Sequence, residues 1–174
     1  MDLRTEEDVR AAYERIVEGA RAFDPEASVS GVTLQPMIRN PDYEILLGAK
    51  RDPHFGPVIL FGLGGIFAEA LGDQSIGLPP FNRTLALRMM EETRAYALLK
   101  GRRGRKAADM DLLEEMVVRL SQLIVDFPEI SELDMNPVIV KDGEPLAVDA
   151  RIVVAASEVA SPLHLVISPY PTKY

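Results

Sequence analysis

The chain has 174 residues, 47% of them hydrophobic and 26% charged, with a net charge of −8 and no cysteine. That length suits one domain or one large lobe, and it supports a single core without disulfides or metals. The lack of cysteine excludes disulfide scaffolds, zinc–thiolate centres and thiol nucleophiles. The acidic balance argues against broad nucleic-acid binding, which depends on Lys and Arg neutralising phosphates. The opening MDLRTEEDVR does not have the basic-then-apolar order of a secretory signal. The longest apolar run, 57–71, is interrupted by glycines and Glu69, so no stretch reaches the roughly 18–20 apolar residues that a membrane span needs. A cytoplasmic setting is expected.

Residues 5–22 are predicted to be helical. Thr5 can cap the helix, Glu6, Glu7 and Asp8 suit its first turn, and Val9, Ala12, Tyr13, Ile16 and Val17 recur at helical spacing. Three strand-like runs follow at 31–38, 43–50 and 57–62, separated by Asn40-Pro41-Asp42 and by Asp52-Pro53 with Gly56-Pro57. Residues 66–70 and 74–78 read equally as further strand or as a short turn of helix. A helix is then expected from Asn82 to Lys100, stopped by Gly101, and a second from Asp109 to Val125. The second carries the clearest stripe in the chain: Leu112, Leu113, Met116, Val117, Leu120 and Ile124. A hairpin closes the pattern, with strands 131–140 and 145–154 around Asp142-Gly143, before a Pro-, Ser- and Tyr-rich tail at 155–174. Antiparallel strands beside a separate helix pair indicate the α+β class.

Asp-Gly between two apolar runs signals a two-residue hairpin turn. Lys141 then pairs with Glu144, and counting back places Val138 opposite Ala147, Asn136 opposite Asp149 and Asp134 opposite Arg151. Alternation assigns Leu133, Met135, Ile139, Leu146, Val148, Ala150 and Ile152 to an apolar face, expected to be the core face. Asp134, Asn136, Asp149 and Arg151 fall on the other. Opposed residues have Cβ atoms about 4.5–5.5 Å apart, so Asn136 and Asp149 can converge on one hard cation, with Asp134 beside them. Mg²⁺ prefers such oxygen donors, completed by substrate phosphates. Arg151 can hold Asp134 or neutralise phosphate. The outer face of any solvated hairpin gives the same polar pattern, and Pro137 warns of a bulge that would shift the opposition by one residue.

The strings ELDMNPVIV at 132–140 and LAVDARIVV at 146–154 resemble the succinyl-CoA synthetase β-subunit and the related ADP-forming acyl-CoA synthetases, in the C-terminal lobe of their ATP-grasp domain. The resemblance implies that Asn136 and Asp149 bind the Mg²⁺ of the nucleotide, with Asp134 as the supporting acid. A second block, YEILLGAKRDPHFGPVILFGLGGIFAE at 43–69, is similar to the same family at Glu44, Asp52, Phe55, Gly56, Pro57, Gly64, Gly65 and Glu69. A third, LLKGRRGRKAAD at 98–109, resembles its acyl-CoA synthetase branch. The similarity covers nearly the whole chain, with its blocks in the family's order. It implies an antiparallel sheet flanked by helices over 1–154, ATP or ADP as cofactor, and phosphoryl transfer between nucleotide and a phosphohistidine in acyl-CoA synthesis. The partners expected are the first ATP-grasp lobe and the CoA-binding and phosphohistidine domains, none of which is in this chain. The tail HLVISPYPTKY at 164–174 resembles a linker to a GNAT-type acetyltransferase domain, which sets up the rival expectation of a regulatory ligand-sensing module.

Glu44 and Asp52 share one face of their strand and are candidate liners of the nucleotide cleft, although an exposed polar face gives the same pattern. The glycines of 61–65 suit an anion nest or, more simply, a tight strand connection. Arg102, Arg103, Arg105 and Lys106 form the one dense basic cluster, placed near a helix C-terminus where cations are favourable. Neither His54 nor His164 stands in a catalytic context.

Overall fold

The computed structural model describes residues 2–65, 72–101 and 104–156. These divide into two compact units that part between Arg39 and Asn40. The segment expected at 66–70 with its Glu69, the pair Arg102 and Arg103, and the tail from 157 with its His164 lie outside the described residues.

The first unit holds one helix, α1, at Glu6–Phe23. Thr5 caps it: its Oγ1 accepts from Asp8 N at 3.1 Å, and the Asp8 carboxylate accepts from Thr5 N at 3.0 Å and Arg4 N at 2.9 Å. This reciprocal capping satisfies orphan donors at the helix start. The two backbone bonds, that from Arg4 foremost, hold the Asp8 carboxyl below the ordinary carboxylate range. The strand expected at 31–38 is not formed. An extended segment needs a neighbouring strand to satisfy its N–H and C=O groups. The first unit contains no other strand among the described residues, and Val32, Leu34 and Met37 stay exposed.

The second unit is a six-stranded, wholly antiparallel sheet: β1 Tyr43–Asp52, β2 Gly56–Leu63, β3 Gln74–Gly77, β4 Ile130–Lys141, β5 Glu144–Ala147 and β6 Arg151–Val154. The spatial order is β3-β2-β1-β4-β5, with β6 also pairing along β4. The segment at 74–78, open between strand and helix in the sequence, is thus strand, laid against β2 with Phe61 opposite Ser75. Among the described residues, three helices belong to this unit: α2 Arg83–Glu91, α3 Arg94–Leu99 and α4 Met110–Asp126. Alternation along β1 sends Tyr43, Ile45, Leu47 and Ala49 to one face. There they meet Ile59 and Phe61 of β2, Met90 of α2, Leu99 of α3 and Leu113, Val117 and Ile124 of α4 in one buried cluster. Each large apolar side chain so buried contributes about 1.5–3 kcal/mol relative to exposure. Helices cover this face, and the opposite face of the sheet is the outer one. The fold is α+β, as the pattern of elements indicates.

The single helix expected over 82–100 is two helices. Asn82 caps the first as foreseen, its Oδ1 accepting from Leu85 N at 2.9 Å. The chain then breaks at Glu92-Thr93. Thr93 Oγ1 donates to Met90 O at 2.7 Å and accepts from Tyr96 N at 3.2 Å. The buried carboxylate of Asp73 accepts from Arg94 N at 2.7 Å and Ala95 N at 2.8 Å. Side-chain acceptors from the neighbouring loop replace the i−4 carbonyls, so a new helix starts there.

The hairpin expectation needs correction, first because the strand expected at 145–154 is two, β5 and β6, with 148–150 between them in no strand. Toward β5 and β6 the foreseen register holds from Lys141 back to Glu132, with Lys141 facing Glu144, Val138 facing Ala147 and Asp134 facing Arg151, and shifts only before Glu132, where Ile130 faces Val154. Toward β1 it shifts, because two residues of β4, Asn136 and Pro137, stand opposite the single Leu46. This bulge reverses the alternation along β4. Leu133 is buried before the bulge, but Val138 and Val140 are buried after it, at 1% and 0% exposure. Ile139 therefore lies on the outer face, and Leu146 and Ile152, assigned to the core from the sequence, are about half exposed, at 54% and 51%.

Candidate metal site on the outer face

The outer face is set by β1 and β4. From β1 it takes Glu44, Leu46, Gly48 and Lys50, and from β4 it takes Glu132, Asp134, Asn136 and, beyond the bulge, Ile139. Gly48 lies directly opposite Asp134. A Cβ there would come within 3.8 Å of Asp134 Oδ1 and 3.3 Å of Leu133 O, so glycine keeps the floor beneath this carboxylate open.

Asn136 and Asp149 sit where strand pairing is interrupted. Residues 148–150 belong to no strand, yet the pairs on either side, Val138 with Ala147 and Asp134 with Arg151, belong to one register. Val148 N donates to Pro137 O at 3.3 Å in the middle of the gap. The register count is thus the same on both sides of the gap, and by that count Asn136 falls opposite Asp149. The bulge that Pro137 warned of is present, but it faces β1 and does not change the register count toward β5 and β6 between Glu132 and Lys141. Both residues are exposed.

Asp134 is half-buried. Desolvation pushes its carboxyl above the ordinary value. The neighbouring charge of Glu132 and that of Asp149 push the same way, and Arg151 opposes them. Ionisation of this carboxyl is thus disfavoured, chiefly by desolvation, a cost that a nearby cation would offset. Arg151 makes no ion pair within 4 Å among the described residues and remains available to an anion. No three His, Cys, Asp or Glu side chains of the described residues converge on one point. A cation here would take the amide oxygen of Asn136 and the Asp149 carboxylate, with ligand oxygens beside them. That all-oxygen set fits Mg²⁺. Glu132 is missed by the sequence reading, though strict alternation from Asp134 and Asn136 places it on their face.

The other predicted liners separate. Asp52 lies eight residues from Glu44, about 26 Å along an extended strand. Its carboxylate is engaged in the β1–β2 turn, where Oδ1 accepts from His54 N at 2.8 Å and Phe55 N at 3.0 Å. Those bonds, that from Phe55 first, hold the Asp52 carboxyl below its ordinary range. Glu44 lies at the opposite end, two residues from the position facing the bulge. The glycines of 61–65 serve the tight connection: Gly64 N donates to Glu44 O at 2.9 Å. Arg105 stacks over the Tyr43 ring at 5.7 Å and donates to Asp42 O, so it braces the start of β1.

The family model for the ATP-grasp domain matches residues 1–154. The chain belongs to the ATP-grasp family. This ATP-grasp domain is 37% identical over 153 residues to the Acetate–CoA ligase [ADP-forming] I subunit beta of Pyrococcus furiosus, covering 88% of this chain and 66% of that protein. Among solved structures it is similar to the dinucleotide-forming acetyl-coenzyme A synthetase 1 of Ca. Korarchaeum cryptofilum in complex with coenzyme A, acetyl-coenzyme A and a phosphorylated phosphohistidine segment. That match has 38% identity and a TM-score of 0.80, over 88% of this chain and 68% of the other. A second structure of the same synthetase, with coenzyme A and Mg-AMPPCP and its phosphohistidine segment pointing towards the nucleotide binding site, gives 35% identity and a TM-score of 0.70 over 87% and 65%. The chain thus spans about two thirds of the Pyrococcus subunit it matches. These relatives are named as ligases and synthetases, and the acetyltransferase-fusion reading draws no support from them. Among the described residues no helix is long and apolar enough to cross a membrane.

Proposed function

We propose that this ATP-grasp domain holds a Mg²⁺–adenine nucleotide on its outer sheet face, as part of a cytoplasmic ADP-forming acyl-CoA synthetase. The observation that supports the reading is the common register count on either side of residues 136–137 and 148–149, by which an amide oxygen falls opposite a carboxylate on the sheet face away from the core helices. Asn136 and Asp149 hold the ion, Asp134 supports it, and Arg151 contacts phosphate oxygens. When bound, Mg²⁺ supplies charge neutralisation at the nucleotide phosphates. The protein's share is positioning: the β4–β5 turn and the bulge fix the donors before the ligand arrives. The overall reaction is acid + CoA + ATP ⇌ acyl-CoA + ADP + phosphate, with a phosphohistidine carrying the phosphoryl group. The histidine, the CoA site and the first ATP-grasp lobe come from segments beyond this chain, in keeping with the share of its relatives that it spans.

The test is Mg²⁺-dependent ADP binding by calorimetry, on this chain and on the chain joined to the first lobe, with Asp149→Ala as control. Binding by the joined protein that requires both Mg²⁺ and Asp149 is the expected result. A well-folded joined protein that binds no nucleotide would sink the assignment.

A further inference from the structure

Glu44 has a second relation to this face that the strand pattern does not reveal. The turn leaving β2 lies flat on the start of β1. Gly64 N donates to Glu44 O at 2.9 Å, and a Cβ on Gly64 would sit 3.0 Å from the backbone N and C of Ile45. Gly65 follows with φ +73°, a left-handed conformation that favours glycine. A Cβ on Gly65 would lie 2.6 Å from Oε2 of Glu44. The carboxylate thus fills the space that any other residue at this position would claim. It receives no hydrogen bond from the described residues, and what the described residues show is a steric contact with the turn. The contact is made on the outer face, at the end next to Asn136.

We propose that Glu44 is a positioning residue for the Mg²⁺–nucleotide site: its carboxylate wedges over Gly65 and holds the Gly64–Gly65 turn down on β1, so that the turn borders the nucleotide without Glu44 touching it. The inference rests on the nucleotide reading of this face. It differs from the direct role in lining the cleft that the sequence suggests for Glu44, because the wedge needs the side chain's volume and not its charge.

The volume requirement makes the test specific. The domain in its full-length protein is assayed for the Mg²⁺–ADP dissociation constant and for KM and kcat with ADP. Four variants are compared: Glu44→Gln, Glu44→Ala, Gly65→Ala and the double variant that combines the last two. Gln keeps the wedge, so the expected rise in KM is at most about twofold, against about five- to tenfold for Ala with kcat nearly constant, the mark of lost binding geometry. Gly65→Ala is expected to cost more, about tenfold or above, because the new Cβ meets both Oε2 and an unfavourable φ. In the double variant the Cβ introduced by Gly65→Ala enters the volume that Glu44 vacated, so its loss falls below that of Gly65→Ala alone, a non-additivity that only contacting residues show. A Glu44→Gln loss as large as that of Glu44→Ala would overturn the proposal in favour of direct ligand contact by the charge. So would losses that simply add in the double variant. Failure of the wild-type protein to bind nucleotide at all would instead refute the site reading itself, a separate outcome.

Discussion

Asp73 is the polar residue whose removal should cost the fold most. It is 8% exposed, and its two carboxylate oxygens accept separately from Arg94 N at 2.7 Å and Ala95 N at 2.8 Å. Both lengths are near ideal for an N–H donor. In Asp73→Ala both acceptors vanish, and two N–H groups at the start of α3 remain, Ala95 being fully buried. A hydrogen bond to a charged group is worth about 1.5–3 kcal/mol, and an orphaned buried donor costs about 1–3 kcal/mol. Some relaxation of the short helix α3 toward water offsets part of the two-bond sum. The expected loss is therefore about 3 kcal/mol. Asp73→Asn keeps one acceptor oxygen but turns an amide N–H₂ toward the second donor, so about half that loss is expected. The measurement is urea unfolding of the chain followed by circular dichroism, with the midpoint lowered at an unchanged slope. A loss below about 1 kcal/mol for Asp73→Ala would refute the reasoning, for it would show that α3 starts without this cap.

Three further outcomes are expected. Asn136→Ala and Asp149→Ala should each weaken Mg²⁺-dependent ADP binding by at least about tenfold while leaving the circular dichroism spectrum unchanged, as expected for exposed donors whose loss disturbs no packing. The raised Asp134 carboxyl stays protonated in the fold to a higher pH than in the unfolded chain. Its contribution to stability is therefore fully present below the ordinary value of 3.8 and is lost as pH rises through the raised one. Asp134→Asn should flatten that part of the stability–pH curve, whereas the depressed Asp52 carboxyl gives the opposite sign, with stability lost as pH falls below 3.8. Gly143→Ala should cost about 1–3 kcal/mol in urea unfolding, because Gly143 has φ +92° and an added Cβ would meet Ala107 O at 2.9 Å.

Much of this is legible in the sequence, and the rest is hidden for identifiable physical reasons. Local signals read well: Thr5, Asn82 and Asp109 cap their helices through their own side chains. Asp142 and Gly143 both adopt positive φ, the turn that sets the hairpin register. What stays hidden depends on distant partners. Nothing near residue 92 announces that Asp73, some twenty residues earlier, will start a new helix at Arg94. The strand pattern at 31–38 is genuine as a pattern, but pairing needs a neighbour that the first unit does not contain among its described residues. The faces of Ile139 and Leu146 are misassigned when alternation is carried straight through the bulge at 136–137.

That bulge also explains why the site sits where it does. On one side of β4 the extra residue is absorbed opposite Leu46; on the other, the pairs at Ala147 and Arg151 keep one register count across the gap at 148–150. Alternation counted from Asp134 puts Asn136 outward, and alternation counted back from Ile139 puts Pro137 outward as well. Two consecutive residues thus lean toward the open face, and opposite them lies the strand gap holding Val148 and Asp149. The donors stand at this irregular point in the ladder, while Val138 and Val140 just beyond it bury fully against the helices. The core on one side of the sheet fixes β4 rigidly, and the outer side gains two adjacent positions free of packing duty. Moving the bulge one residue toward the start of β4 would return Asn136 to the buried face and lose the amide as a metal donor. The placement of the bulge, more than the identity of any one acidic residue, is what makes this surface able to hold a cation.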